Sequence, residues 1–77
     1  MMMFHLELTK KQEGKLSRLT PPYTNDFKKW DEFTQNCERH GAWDSRTVDR
    51  GIYGGLDFTA KTLEGAERVQ KYVREIL

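Results

Sequence analysis

Two apolar stripes at helical spacing, separated by a stretch holding Gly41, Gly51, Gly54 and Gly55, constrain this chain more than any other feature. Phe27, Trp30, Thr34 and Cys37 recur at intervals of three, four and three, with Phe33 beside them. Leu63, Ala66, Val69, Val73 and Ile76 recur at three, three, four and three, with Tyr72 and Leu77 on the flanks. Each set lines one face of a 3.6-residue helix. The first predicts a helix over about 26–40, capped by Asn25 or Asp26 and closed by Arg39-His40-Gly41. Basic residues there meet the negative helix end, and glycine suits a left-handed C-cap. The second predicts a helix over 63–76 with Thr62 as N-cap. Glu64 and Arg68, and Glu67 and Lys71, sit four apart with the acid first, the favourable order.

Phe4, Leu6 and Leu8 alternate with His5 and Glu7, which is the period of a strand with one buried face. Thr9 followed by Gln12 is a capping-box pattern, and it opens a short helix over about 10–19. Gly14 weakens that helix by up to about 1 kcal/mol relative to alanine. A hairpin turning at Gln12-Glu13-Gly14, with 15–20 as its second strand, is the alternative. The Leu16/Leu19 spacing favours the helix, since in a strand the two would face opposite ways. Pro21-Pro22 stops whatever precedes it. Val48–Tyr53 and Leu56–Thr59 flank Gly54-Gly55, a hairpin signal because primed turns need positive φ. Gly51 marks a bulge, or else the turn lies at Asp49-Arg50-Gly51. The resulting order, β-α-α-β-β-α, predicts a small α+β fold in one domain, 1–77: a three-stranded antiparallel sheet with helices on one face.

A chain of 77 residues buries only about 60% of its unfolded surface, so its apolar side chains must be well placed. Nine aromatics spread along the sequence meet that need and argue against disorder. Thirteen basic residues stand against twelve acidic ones, a net charge of +1, which suits neither a general nucleic-acid coat nor an acidic DNA mimic. No apolar run approaches the length of a membrane span. Residues 1–8 lack a basic start and reach Glu7 too soon for a signal peptide. The single cysteine, Cys37, forms no internal disulfide, which fits a reducing, cytoplasmic setting. A monomer or small homo-oligomer is expected.

Cys37 and His40 lie one helical turn apart, and as soft ligands they could begin a zinc site with His5, Asp44 or Asp49. No known spacing joins these residues, and the expected roles are a small buried thiol and a dipole partner. The same pair as nucleophile and base would need an alignment that i,i+3 side chains rarely reach. Gly51-Ile52-Tyr53-Gly54-Gly55 lacks both phosphate-loop signatures and reads as turn. No metal, no cofactor and no catalysis are expected. Lys10, Lys11, Lys15 and Arg18 make the first 20 residues basic, a possible phosphate-contacting set. Arg46 and Arg50 accompany Trp43 and Tyr53, the residue types that dominate interface hot spots. Trp43, in a short polar loop, either plugs the core or meets a partner.

The stretch from Leu56 to Arg68, LDFTAKTLEGAER, resembles the strand-into-helix tail of short phage-encoded accessory proteins. In it Phe58 would pack under the helix, Thr62 would cap it, and Gly65-Ala66 would let it approach the sheet. The whole chain is similar in kind to phage anti-defence proteins, anti-CRISPR proteins among them. With the missing catalytic constellation, the small size and the aromatic–arginine cluster, that resemblance predicts a non-catalytic protein that inhibits or modulates a larger host protein or nucleoprotein complex by occupying its surface, with no membrane association. Trp43, Arg46, Arg50 and Tyr53 would bind that partner. The alternative is a small nucleic-acid-binding accessory protein acting through Lys10, Lys11, Lys15 and Arg18.

Overall fold

The computed structural model describes residues 1–20 and 27–77. Its elements are β1 (Met2–Leu6), α1 (Lys10–Ser17), α2 (Phe27–His40), a 3-10 turn at Ser45–Thr47, β2 (Asp49–Arg50), β3 (Leu56–Ala60) and α3 (Leu63–Ile76). The three strands form one antiparallel sheet in the order β1-β3-β2, as the α+β reading of the sequence expects. β3 is central, and buried residues alternate with half-buried ones along its whole length: Leu56, Phe58 and Ala60 are all buried. β1 runs beside it with Phe4 opposite Phe58 and Leu6 opposite Leu56. The Phe4 and Phe58 rings stack at 5.6 Å. Burying a phenylalanine fully is worth about 1.5–3 kcal/mol, so Phe58 is a principal contributor in so small a core.

The helices cover that face. Leu16 of α1, Phe33 and Cys37 of α2, and Ala66, Val69 and Val73 of α3 close over the strand residues. Thr9 and Gln12 form the full capping box, with the Thr9 amide donating to Gln12 Oε1 and the Gln12 amide to Thr9 Oγ1. The 10–20 segment is therefore helix followed by turn, and the alternative hairpin is excluded. Thr62 caps α3 by accepting from the Gly65 amide at 3.0 Å. The caps proposed at Asn25 and Asp26, and the stop at Pro21-Pro22, lie outside the described residues.

Several boundaries and roles differ from expectation. β1 starts before Phe4 and ends before Leu8, which packs against the core from the loop instead. Phe27 and Leu63, the first members of their stripes, are exposed at the starts of their helices. Glu64 pairs with Arg68 at 3.5 Å, whereas Glu67 and Lys71 form no ion pair among the described residues. The first hairpin strand, expected over Val48–Tyr53, is only the two residues of β2. Gly51 donates to the Gly55 carbonyl at 3.0 Å, and Gly54 to the Gly51 carbonyl, so residues 51–55 form a five-residue loop. Ile52 and Tyr53 sit at its tip rather than in a strand. The glycine pair behaves as its turn chemistry requires, with φ of 102° at Gly54 and 76° at Gly55.

Gly65 meets a different neighbour from the one its sequence suggests. It faces Gly41, at the end of α2, and not the sheet. Gly41 is the left-handed residue of a Schellman closure: its amide bonds the Glu38 carbonyl, and the Ala42 amide bonds the Cys37 carbonyl at 3.0 Å. A Cβ built on Gly41 would stand 2.5 Å from the Gly65 carbonyl oxygen. The α2 exit and the first turn of α3 thus touch backbone to backbone. Arg68 seals the junction by donating from Nε to the His40 carbonyl at 3.1 Å.

Candidate interaction surface

The residues proposed for partner binding fall into two groups at opposite ends of β3. Trp43 donates its amide to the Thr59 carbonyl at 2.8 Å and lines a groove of about 430 Å³ with Lys61, Thr62 and Arg68. Its side chain is 40% exposed, so it neither plugs the core nor stands free of the body. Arg46 belongs to the same end, in the 3-10 turn that Thr47 ties to β3 through a 2.6 Å contact between the Thr47 and Thr59 hydroxyls. Arg50 and Tyr53 belong to the Leu56 end. The register places Arg50 opposite Leu56, and Tyr53 lies in the loop that follows. The expected single cluster of Trp43, Arg46, Arg50 and Tyr53 is therefore two surfaces.

Arg46 is also engaged within the chain. Its Nε and Nη2 both donate to Asp44, Nη2 at 2.9 Å, and its amide donates to Asp44 Oδ1. These hydrogen bonds hold the Asp44 carboxyl below the usual carboxylate range and push the Arg46 guanidinium up. Asp44 thereby caps the 3-10 turn, a role its position before Ser45-Arg46 allows.

The loop tip is the most exposed apolar feature among the described residues: Tyr53 is 100% and Ile52 91% accessible. It is also firmly held. Besides the two bonds within the loop, the Gly55 amide donates to the Glu13 carboxylate of α1. The same carboxylate lies against Gly54, where a Cβ would meet Oε1 at 3.2 Å. Glu13 and Tyr53 line a cleft of about 470 Å³ with His5 and Glu7. Below it, His5 Nδ1 lies 2.6 Å from Asp57 Oδ1 across the β1–β3 pair. Sequence reasoning missed Glu13, Ile52 and the His5–Asp57 contact. No local spacing connects Glu13 to Gly55, since the link exists only once α1 has docked.

The His5–Asp57 pair orients an imidazole as catalytic dyads do, but no hydroxyl or thiol is bonded to it among the described residues. Cys37 is fully buried, and burial pushes its thiol up to about 12. It is a thiol, not a thiolate, at neutral pH, and so a poor nucleophile or metal ligand. His40 turns away from it: its Nδ1 donates to the Asn36 carbonyl at 2.7 Å, and its ring stacks on Tyr72 at 4.1 Å. Burial raises the Tyr72 phenol above its ordinary value. No three His, Cys, Asp or Glu side chains converge in metal-binding geometry among the described residues.

The basic set of α1 is more coherent. At 100° per residue, Lys11, Lys15 and Arg18 fall within about 60° of one another and Lys10 about 80° from Arg18, all of them about 100–160° from the buried Leu16. None of the four is in an ion pair among the described residues. No described helix is long and apolar enough to cross a membrane. No known protein family, curated protein or solved structure matches the chain.

Proposed function

We propose that this chain is a non-catalytic binding protein that inhibits or modulates a larger host protein or nucleoprotein complex by occupying its surface, in the manner of phage anti-defence proteins and in the host cytoplasm. The observation that carries the reading is the loop tip, where Ile52 and Tyr53 are exposed on a backbone tied by Gly51, Gly55 and Glu13. An isolated exposed side chain is ordinary. An aliphatic–aromatic pair on a braced loop is different, because little conformational entropy remains to be lost on binding. Aromatic anchors of this kind dominate binding energy at interfaces, and Arg50, at the foot of the loop, supplies the polar rim.

Affinity capture from nuclease-treated host lysate tests it, with the wild type compared against Tyr53→Ala and Ile52→Asp. A stoichiometric protein partner recovered by the wild type and lost from both variants, whose folds are unchanged by circular dichroism, supports the reading. Equal recovery by all three places the binding surface elsewhere, and the Trp43 groove is then tested with Trp43→Ala.

The second reading, nucleic-acid binding, draws on Lys10, Lys11, Lys15 and Arg18, none of them in an ion pair among the described residues. It requires a steep log–log dependence of affinity on salt, about one unit of slope per phosphate contacted. Salt-insensitive binding, or none, to mixed-sequence DNA and RNA removes it.

A further inference from the structure

We infer that β1 is a self-pairing edge, through which two copies of this chain join their sheets into one. The inference is independent of the loop surface and follows from the direction of the backbone groups. In an antiparallel pair, each residue sends its N–H and C=O to the same side, and the side alternates along the strand. Trp43 and β2 fix that alternation. The Trp43 amide bonds the Thr59 carbonyl, and Asp57 faces Asp49, so the odd-numbered residues of β3 address the β2 side. Its even-numbered residues, Leu56, Phe58 and Ala60, therefore address β1, where they meet Leu6, Phe4 and Met2. The remaining groups of β1, those of Met3 and His5, point outward, where no strand lies among the described residues.

The two edges of the sheet differ in how they are protected. The β2 edge is two residues long, carries Asp49 and Arg50, and is interrupted by the 3-10 turn before it and the loop after it. Such shortness, charge and irregularity are the usual defences against strand addition. β1 runs for five residues, MMFHL, without lysine, proline or bulge, and its Met3 side chain is 81% exposed.

Self-complementarity selects a second copy as the occupant. Two β1 strands related by a two-fold axis through Phe4 place Met3 opposite His5 of the partner subunit and Met2 opposite Leu6 of the partner subunit. Both outward pairs of groups on each strand are then used, which gives four new backbone hydrogen bonds. No like charges meet. Phe4, already stacked on Phe58, faces its own copy at the close, non-hydrogen-bonded spacing of about 4.5 Å between Cα atoms, extending the aromatic row across the axis. Centring the pair on His5 would put two imidazoles face to face, and centring it on Met3 would leave His5 beyond the partner's strand. The resulting sheet has the order β2-β3-β1-β1-β3-β2.

Sedimentation equilibrium of the full chain over a range of concentrations tests the proposal. The expected result is a reversible dimer of twice the 9.1 kDa chain mass. Met3→Pro removes an outward N–H and no β1–β3 bond, so it is expected to weaken the dimer about thirtyfold, one hydrogen bond being lost from each strand, while the monomer's circular dichroism is unchanged. Met3→Lys, which adds an edge charge without touching the backbone, checks the result if the proline variant loses its fold. Register is read by mixing Met3→Cys and His5→Cys chains under mild oxidation: the mixed disulfide is expected to exceed either self-disulfide, and the buried Cys37 does not compete. A monomer at every concentration overturns the proposal. So does a dimer as tight in Met3→Lys as in the wild type, or a mixed disulfide no more abundant than the self-disulfides.

Discussion

At its Thr59–Ala60 end β3 is held largely by backbone groups: the Trp43 amide bonds it, and Gly41 presses on Gly65 beside it. At its Leu56 end the preceding loop, closed by two backbone bonds of its own, is tied to α1 by one side chain, Glu13. Backbone-to-backbone contact admits no intermediate state, because neither partner can swing aside. A carboxylate on a flexible stem can release and re-form. This fold therefore opens first at the Leu56 end. Local opening at the Leu56 end needs the loss of a few hydrogen bonds, whereas opening at the other end requires α2 and α3 to part.

Gly41→Ala tests the backbone contact between the two helices most severely. The residue has φ of 140°, and the new Cβ would overlap the Gly65 backbone. A loss of about 2–4 kcal/mol in urea unfolding is expected, from strain at a left-handed position plus the clash. A loss below 1 kcal/mol would show that the two helices separate easily. Glu13→Ala should cost less, about 1–2 kcal/mol, because the Gly55 amide can find water instead. Its distinctive mark is local: hydrogen exchange at Gly51 and Gly55 accelerates while Phe58 and Val69 keep their protection. Uniform acceleration would mean that the loop and the core open together. Thr62→Ala removes the α3 cap and should cost about 1 kcal/mol, half or less of the Gly41 effect.

Asp44→Asn probes the well-tied end by pH. The Asp44 carboxyl is held below its ordinary value, first by the Arg46 side-chain bonds. The stability it contributes is therefore present above pH of about 3.9 and is lost as pH falls through the lowered folded-state value. The variant should lack that part of the acid slope, read from urea midpoints between pH 2 and 6. The smallest expected effect concerns Cys37. Disulfide reagent at neutral pH should find no reactive thiol in the folded protein and one after denaturation, because the group is buried and protonated.

The parts legible in the sequence were those set by neighbouring residues. Thr9 and Gln12, Thr62 and Gly65, and the Arg39-His40-Gly41 exit all interact within one turn of helix, so spacing alone identified them. The period-two run around Phe4 and the glycine pair at 54–55 likewise led to the three-stranded antiparallel sheet. The loop tip was misread because Ile52 and Tyr53 have strong strand propensity, and propensity is silent on which carbonyl the Gly51 amide will meet. The aromatic–arginine set looked like one cluster because its members are close in sequence. The 3-10 turn at 45–47 carries the chain along β3, leaving Trp43 level with Thr59 and Tyr53 beyond Leu56. Glu13 was invisible for a simpler reason: its partner lies 42 residues away.

The His5–Asp57 contact spans 52 residues, and every bond between β1 and β3 closes a loop of that order. Closing it costs about 3.5 kcal/mol of chain entropy before any strand contact repays it. During synthesis, at about 5–20 residues per second, β1 leaves the ribosome seconds before the strand it will pair with. For that interval both of its edges, with Met2, Met3, Phe4 and Leu6, are open to other chains. Expression level, through the chance of meeting a neighbour in those seconds, should therefore govern how much of this protein reaches its native state.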